Sequence, residues 1–335
     1  MLEHGGRLGR AVREYGIARE HWLDLSTGVS PFAYPLPTVP STVWQRLPED
    51  DDELLDAARG YYGTHHLLPV AGSQAAIAAL PRLRGRSRVA VVEPAYAEHA
   101  HAWLTAGHDV VTLPFHALLA RAHEFDVVVV IRPNNPTGER ADRETLLELH
   151  DRLARREAAP GLARQRPWLV VDEAFIDVSP EDSLCGHRRD GLIVLRSVGK
   201  FFGLAGARAG FVAAWPALLD DMAASLGPWT LTGPTRYVVA RALKDTAWQA
   251  SAREWLRRAS AQLASLLTEH GLPPSGGCEF FHYCEHPDAA TLHRALAQRG
   301  ILVRHFDNPQ ALRFGLPADE ASFVVLGQAL SEAIA

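Results

Sequence analysis

Six apolar runs recur along the middle of this sequence: Val89–Val92, Val110–Leu113, Val127–Ile131, Trp168–Val171, Leu192–Leu195 and Gly210–Ala214. Several are continuous rather than alternating in polarity. A strand with one face in water alternates; a strand covered on both faces does not, which is the condition of a mostly parallel sheet held between helices. Helical patterns fall between the runs at Ser73–Leu83, Tyr96–Ala106 and Arg143–Arg156. The alternation predicts an α/β three-layer domain with a mostly parallel central sheet over residues 41–235.

A longer helical pattern follows from Arg236 to His270, with Trp248, Trp255, Leu256, Leu263 and Leu266 among its apolar positions. Strand patterns at Glu279–Tyr283, Leu302–Arg304 and Leu312–Phe314, with helical ones at Ala289–Gln298 and Asp319–Ile334, predict a smaller α+β domain. It spans 236–335 and includes the long linking helix. Residues 1–40 carry Pro31, Pro35, Pro37 and Pro40, and read as a short helix and an extended arm packing with the small domain.

Bulk properties narrow the function classes. A net charge of −5 over 335 residues gives no reason to expect nucleic acid or a membrane surface as partner. No apolar run approaches the roughly 20 residues of a membrane span, and the start of the chain is polar rather than signal-like. Cys185, Cys278 and Cys284 are too scattered for a disulfide framework, so a reducing cytoplasm is expected. The histidines form no HExxH or comparable ligand set, so no metal is expected. His65–His66 and His99/His101 read as polar surface residues.

Lysine is scarce. Of 34 basic residues only Lys200 and Lys244 are lysine. Lys200 lies in Arg196–Ser197–Val198–Gly199–Lys200–Phe201–Phe202–Gly203, between a strand pattern and a glycine-rich stretch that ends at Arg208. An amine condenses with a carbonyl where a guanidinium does not, so retention here points to chemistry rather than charge.

Other motifs follow strand patterns, and strand ends of a parallel sheet face a common crevice. Val70–Ala71–Gly72–Ser73–Gln74 opens a helix, where its amides suit a phosphate or Ser73 simply caps the helix. Glu93–Pro94–Ala95–Tyr96 supplies an aromatic, either core or a platform for a flat ring. Arg132–Pro133–Asn134–Asn135–Pro136–Thr137–Gly138 supplies a turn and an amide donor. Val170–Val171–Asp172–Glu173–Ala174–Phe175 brings an acidic pair to a buried strand end. A carboxylate there needs a partner, either a protonated ring nitrogen or an arginine. Ser197 and Arg208 suit a phosphate dianion, and Lys200 an aldehyde.

In this order and spacing the motifs resemble the fold-type I pyridoxal 5′-phosphate (PLP) enzymes of the aminotransferase class I/II superfamily, over essentially the whole chain. The resemblance implies PLP as cofactor and Lys200 as its Schiff-base lysine. It also implies Asp172 at the pyridine nitrogen, Asn135 at the ring 3-oxygen and Tyr96 against the ring. Gly72, Ser73, Gln74, Ser197 and Arg208 would hold the phosphate, and Arg313 would bind the substrate carboxylate. A homodimer is implied as well. Three positions depart from the pattern. Phe175 stands where a tyrosine is common, Gly199 where a serine is common, and Arg46–Leu47–Pro48 where relatives carry a Tyr-Pro pair that reaches the neighbouring subunit's phosphate.

The N-terminal segments His4–Gly5–Gly6 and Leu23–Asp24–Leu25–Ser26–Thr27–Gly28–Val29–Ser30–Pro31 resemble a decarboxylase branch of the superfamily that serves cobalamin biosynthesis. That branch releases carbon dioxide from L-threonine O-3-phosphate, giving (R)-1-amino-2-propanol phosphate. The alternative is a histidinol-phosphate-type or other amino-acid aminotransferase. A phosphorylated amino acid needs cations and amides for two anionic groups. Arg304 and Arg313 are the candidate guanidiniums, with His4, Gly5, Ser26, Thr27 and Gly28 as further candidates. Arg304 is either an inward anion ligand or an edge-strand charge.

Overall fold

The computed structural model describes residues 4–50, 52–155 and 166–334. These form two compact units, one of residues 34–135 and 140–249, the other of residues 1–33, 136–139 and 250–335 within the described range.

The first unit is built on a seven-stranded sheet. In chain order its strands are β2 (Leu67–Val70), β3 (Arg88–Val92), β4 (Asp109–Leu113), β5 (Val127–Ile131), β6 (Trp168–Asp172), β7 (Leu192–Ser197) and β8 (Gly210–Ala213). β1 (Leu23–Asp24) belongs to the other unit. The spatial order is β2-β8-β7-β6-β5-β3-β4, parallel throughout except that β8 runs against both neighbours. Every residue of β5, β6 and β7 is buried, which accounts for their unbroken apolar runs. Each fully buried Val or Leu in such a layer is worth about 1.5–3 kcal/mol. Trp103, Ile77, Leu218 and Met222 extend the core from the covering helices.

All six strands read from sequence are present. β2 was not anticipated, because Pro69 interrupts its short run. The sheet tolerates Pro69 because β2 is an edge strand whose single neighbour is β8. The helix expected from Arg236 to His270 is two helices, Gly233–Lys244 and Thr246–Glu269. Asp245 separates them with a non-helical ψ of 80°, and its carboxylate accepts from the Trp248 amide at 3.0 Å. A side chain that caps a new helix start competes with continuing the old one.

The second unit carries a four-stranded antiparallel sheet, β12-β13-β10-β9, and a two-stranded parallel pair of β1 with β11. The ranges are β9 Gly276–Cys278, β10 Phe281–Glu285, β11 Ile301–Leu302, β12 Arg304–Asp307 and β13 Gln310–Gly315. The strand expected at Glu279–Tyr283 is present from Phe281 on, as the start of β10; its first two residues, Glu279 and Phe280, are the loop of a tight hairpin in which Cys278 pairs with Phe281. The strand expected at Leu302–Arg304 breaks at Val303, where the chain passes from its pairing with β1 to its pairing with β13.

Candidate active site

The parallel order of the large sheet brings the carboxyl ends of β2, β3, β5, β6 and β7 to one edge, together with the start of the reversed strand β8. The motifs read from sequence follow these ends or precede that start. A cavity of about 170 Å³ there is lined by Gly72, Ser73, Gln74, Tyr96, Ile131, Asn135, Asp172, Ala174, Phe175, Ser197, Lys200 and Arg208. All nine residues proposed for the cofactor are on its wall.

The phosphate-type corner depends on missing side chains. Gly72 has φ +74°, and a Cβ there would lie 2.8 Å from Arg208 Nη2, so the guanidinium packs where a side chain would stand. A Cβ on Gly210 would lie 2.7 Å from the Ser73 amide nitrogen, so this glycine lets β8 approach the loop. Ser73 is not the helix cap: Gly72 holds that position and makes no side-chain cap bond. Arg208 adopts left-handed backbone (φ 51°) and donates to the Ala205 carbonyl at 3.2 Å. Gln74 is engaged on both sides, accepting from the Tyr96 hydroxyl at 3.1 Å and donating to Glu98 at 3.0 Å. Burial, with Glu98 and Asp172 nearby, pushes the Tyr96 phenol up to about 12, so it stays protonated at neutral pH.

The acidic pair divides: Asp172 lines the cavity, and Glu173 takes the arginine partner that the sequence left open. Asp172 is buried; its Oδ1 accepts from the Ala174 amide at 3.0 Å and its Oδ2 lies 2.9 Å from His99 Nε2. Glu173 turns the other way, to Arg196 and Arg132. His99 corrects the expectation of a surface residue: it is 1% exposed and holds the Asp172 carboxylate. The overlooked signal is its place one turn beyond Tyr96, in the helix Glu98–Thr105 that follows β3. His65 and His101 are exposed, as read. Lys200 Nζ lies 5.6 Å from the centre of the Phe175 ring, an apolar neighbour where a tyrosine would have offered a hydroxyl.

This wall suits PLP by the chemistry of its donors. It offers a primary amine, a buried carboxylate, an amide side chain, and a glycine-made hollow beside an arginine and two hydroxyls. Gly199 also has a physical reason, since a Cβ there would lie 3.0 Å from Ala205 Cα.

The residues proposed for substrate lie in the second unit. Arg304 and Arg313 are directly paired across β12 and β13, so both point to one face of the sheet. Arg313 is buried and donates to the Ser26 carbonyl at 2.8 Å. Burial, with Arg304 adding to it, brings its guanidinium down to about 10, still cationic at neutral pH. Arg304 is on the edge strand β12, as one of its two readings had it, and shares the face of Arg313. The His4–Gly5–Gly6 turn packs on the same segment: a Cβ at Gly5 would lie 2.1 Å from the Ser26 carbonyl, and the Gly6 amide donates to Ser26 Oγ at 2.7 Å. His4, Gly5, Ser26 and Arg304 share a cavity of about 160 Å³ with His293 and His305. Thr27, Gly28 and Arg313 lie outside its lining. Among the described residues no cluster of His, Cys, Asp or Glu could hold a metal, and no helix is long and apolar enough to cross a membrane.

Comparisons with known proteins agree with this geometry. The chain is 51% identical to a threonine-phosphate decarboxylase of Pseudomonas aeruginosa, with 98% of this chain and 97% of that protein covered. It is 41% identical to one from Sinorhizobium, with 98% of each covered. The fold matches the histidinol-phosphate aminotransferase of Sinorhizobium meliloti, solved in complex with pyridoxal-5′-phosphate, with a TM-score of 0.79 at 21% identity, covering 99% of this chain and 95% of that one. The pattern of aminotransferase class I and II matches residues 47–322. With that pattern spanning most of the chain and the cavity walled by its motifs, the chain belongs to the class I and II aminotransferase family of PLP-dependent enzymes.

Proposed function

We propose that this enzyme decarboxylates L-threonine O-3-phosphate to (R)-1-amino-2-propanol phosphate and carbon dioxide, in cobalamin biosynthesis. The observation that carries the reading is the facing pair Arg304 and Arg313, with Ser26 and the His4–Gly5 turn beside them. Two guanidiniums on one face suit a substrate with two anionic groups, a carboxylate and a phosphate. The two relatives at 51% and 41% identity, both named for this activity, support it over the aminotransferase alternative.

PLP, when bound, withdraws electrons from the bonds at the substrate's Cα. The chain's residues decide which bond is exposed to that pull. Arg304, Arg313, His4, Gly5, Ser26, Thr27 and Gly28 are proposed to anchor the substrate's carboxylate and phosphate, which would use binding energy to choose the bond that is exposed. Lys200 is the proposed covalent anchor for the cofactor, and Asp172, held by His99, the partner of its ring nitrogen. Asn135 and Tyr96 are assigned to the ring, and Gly72, Ser73, Gln74, Ser197 and Arg208 to the phosphate. Lys200 Nζ, or another group on this wall, would return the proton to Cα. The reading includes a cytoplasmic homodimer and three functional segments, with 1–40 as the arm, 41–235 binding the cofactor and 236–335 as the small domain.

The test incubates PLP-loaded enzyme with L-threonine O-3-phosphate and follows carbon dioxide. Gas release without consumption of a 2-oxo acid is expected, lost in Lys200→Ala. Amino transfer that needs a 2-oxo acid, with no gas, would establish the aminotransferase instead.

A further inference from the structure

Behind the cofactor wall lies a second constellation, built on residues next to the proposed ligands. Neighbouring residues of a strand point to opposite faces. Ile131, Asp172 and Ser197 line the cavity, and the residue next to each carries charge: Arg132, Glu173 and Arg196. All three are buried, at 3%, 0% and 1% exposure. Register makes them neighbours, since Ile131 pairs with Asp172 and Asp172 with Leu195, which places Glu173 between Arg132 and Arg196.

They form one network. Glu173 Oε2 is 3.2 Å from Arg196 Nη1, and Oε1 is 3.7 Å from Arg132 Nη1. The Ser183 hydroxyl donates to Glu173 at 2.5 Å and accepts from Arg196 at 2.7 Å, while the Leu184 amide donates to the other Glu173 oxygen at 2.8 Å. Arg196 Nη2 donates to Asp177 at 2.6 Å, and the Tyr61 hydroxyl donates to the same oxygen at 2.8 Å. Arg132 reaches the Asp182 carbonyl at 2.7 Å. Two guanidiniums and two carboxylates balance, the condition for burying charge. The carboxylates Asp177 and Glu173, with the Cys185 thiol, more than offset the effect of burial on Arg196 and raise its pKa well above the usual value.

We propose that Arg132, Glu173 and Arg196 are positioning residues, a buried ionic clamp that fixes the ends of β5, β6 and β7 against one another and so holds Asn135, Asp172, Ser197 and Lys200 in place for the cofactor. A network worth only fold stability needs no such location. This one joins the three adjacent strand ends that carry those four residues, one residue from the cavity wall on each strand. The proposal rests on the cofactor assignments made above.

Arg84 provides the control. It is a similarly buried arginine at the other end of the same sheet, donating to Ser87 ahead of β3 and to the Arg166 carbonyl ahead of β6, and lying over Trp168 at the start of β6. Glu173→Gln, Arg196→Lys, Ser183→Ala and Arg84→Met are compared as PLP-loaded enzymes. The measurements are the pH midpoint of the bound cofactor's absorbance, the cofactor dissociation constant and the thermal midpoint. Glu173→Gln and Arg196→Lys are expected to move the absorbance midpoint by about half to one pH unit and weaken cofactor retention. kcat should fall up to about 100-fold, as a misplaced catalytic group does. Arg84→Met should lower the thermal midpoint and leave the absorbance midpoint in place. Ser183→Ala, which keeps all the charges, carries the test if the charge variants do not fold. A midpoint and affinity unchanged in every folded clamp variant overturns the proposal, as does an equal shift in Arg84→Met. Absorbance unaltered by Lys200→Ala would instead overturn the cofactor assignment itself.

Discussion

Gly199 stands where the resemblance leads one to expect serine, immediately before Lys200. The reason is local: a Cβ there would lie 3.0 Å from Ala205 Cα, closer than ordinary packing, and that neighbour is backbone rather than a flexible side chain. Restoring the family residue should therefore harm this protein. Gly199→Ser is expected to cost about 1–3 kcal/mol, the usual range for overpacking a filled site, read as a lower denaturant midpoint at unchanged slope. Equal or greater stability would mean that the Ala205 turn yields freely. The same scale explains which residues of the cavity wall could be read in advance. Gly72, Tyr96, Asn135, Asp172, Ser197, Lys200 and Arg208 each sit in a short motif at a strand end, so local sequence reveals them. His99 does not, because its meaning comes from Asp172, a partner 73 positions away that only the β3–β5–β6 order brings near. Asp172 is singled out by the resemblance, whereas the role of Glu173 beside it, between Arg132 and Arg196, comes only from the register.

Among the elements, continuous apolar runs were legible because burial on both faces leaves a simple signature. Short edge strands were not: β2 contains a proline, and β9 is Gly276–Gly277–Cys278, with almost no side chain to form a pattern. The glycines of β9 have a use that only the structure reveals. The Pro136–Glu139 segment, directly after Asn135, belongs to the same compact unit as β9. A Cβ on Gly276 would lie 2.1 Å from the Thr137 carbonyl, and one on Gly138, at φ +73°, would lie 2.0 Å from the Gly277 carbonyl. The two backbones meet without side chains between them, and both displaced atoms would be main chain. Gly276→Ala should cost about 1–3 kcal/mol, detected by thermal or denaturant unfolding. Gly85→Ala separates this contact from the loss of a glycine as such, since Gly85, like Gly276, is not at positive φ but has open space around its Cβ direction. If the two substitutions cost the same, close approach is not what keeps Gly276.

For the molecule as a whole, the segment that begins the first unit leaves three large apolar side chains in water: Leu36, Trp44 and Leu47, at 72%, 68% and 64% exposure. Scattered single apolar residues on a surface are ordinary, but three within a dozen positions of the chain are a local concentration that a monomer gains nothing by exposing. Leu47 also borders an open cavity of about 560 Å³, lined by Val43, Pro48 and Tyr237 among others. The proposed homodimer gives this surface a use: a second copy would cover it, and an apolar Leu47 suits a covered position although it cannot supply the hydroxyl that relatives place there. Trp44→Ser combined with Leu47→Asp would put a charge and a small polar group into such an interface, while touching nothing in the core of its own chain. Light scattering is expected to find a dimer for the natural sequence and a shift towards monomer for the double variant, with the thermal midpoint becoming more dependent on protein concentration. A natural protein that runs as a monomer at micromolar concentration would remove the dimer from the reading, and a double variant that stays fully dimeric would place the interface on another face.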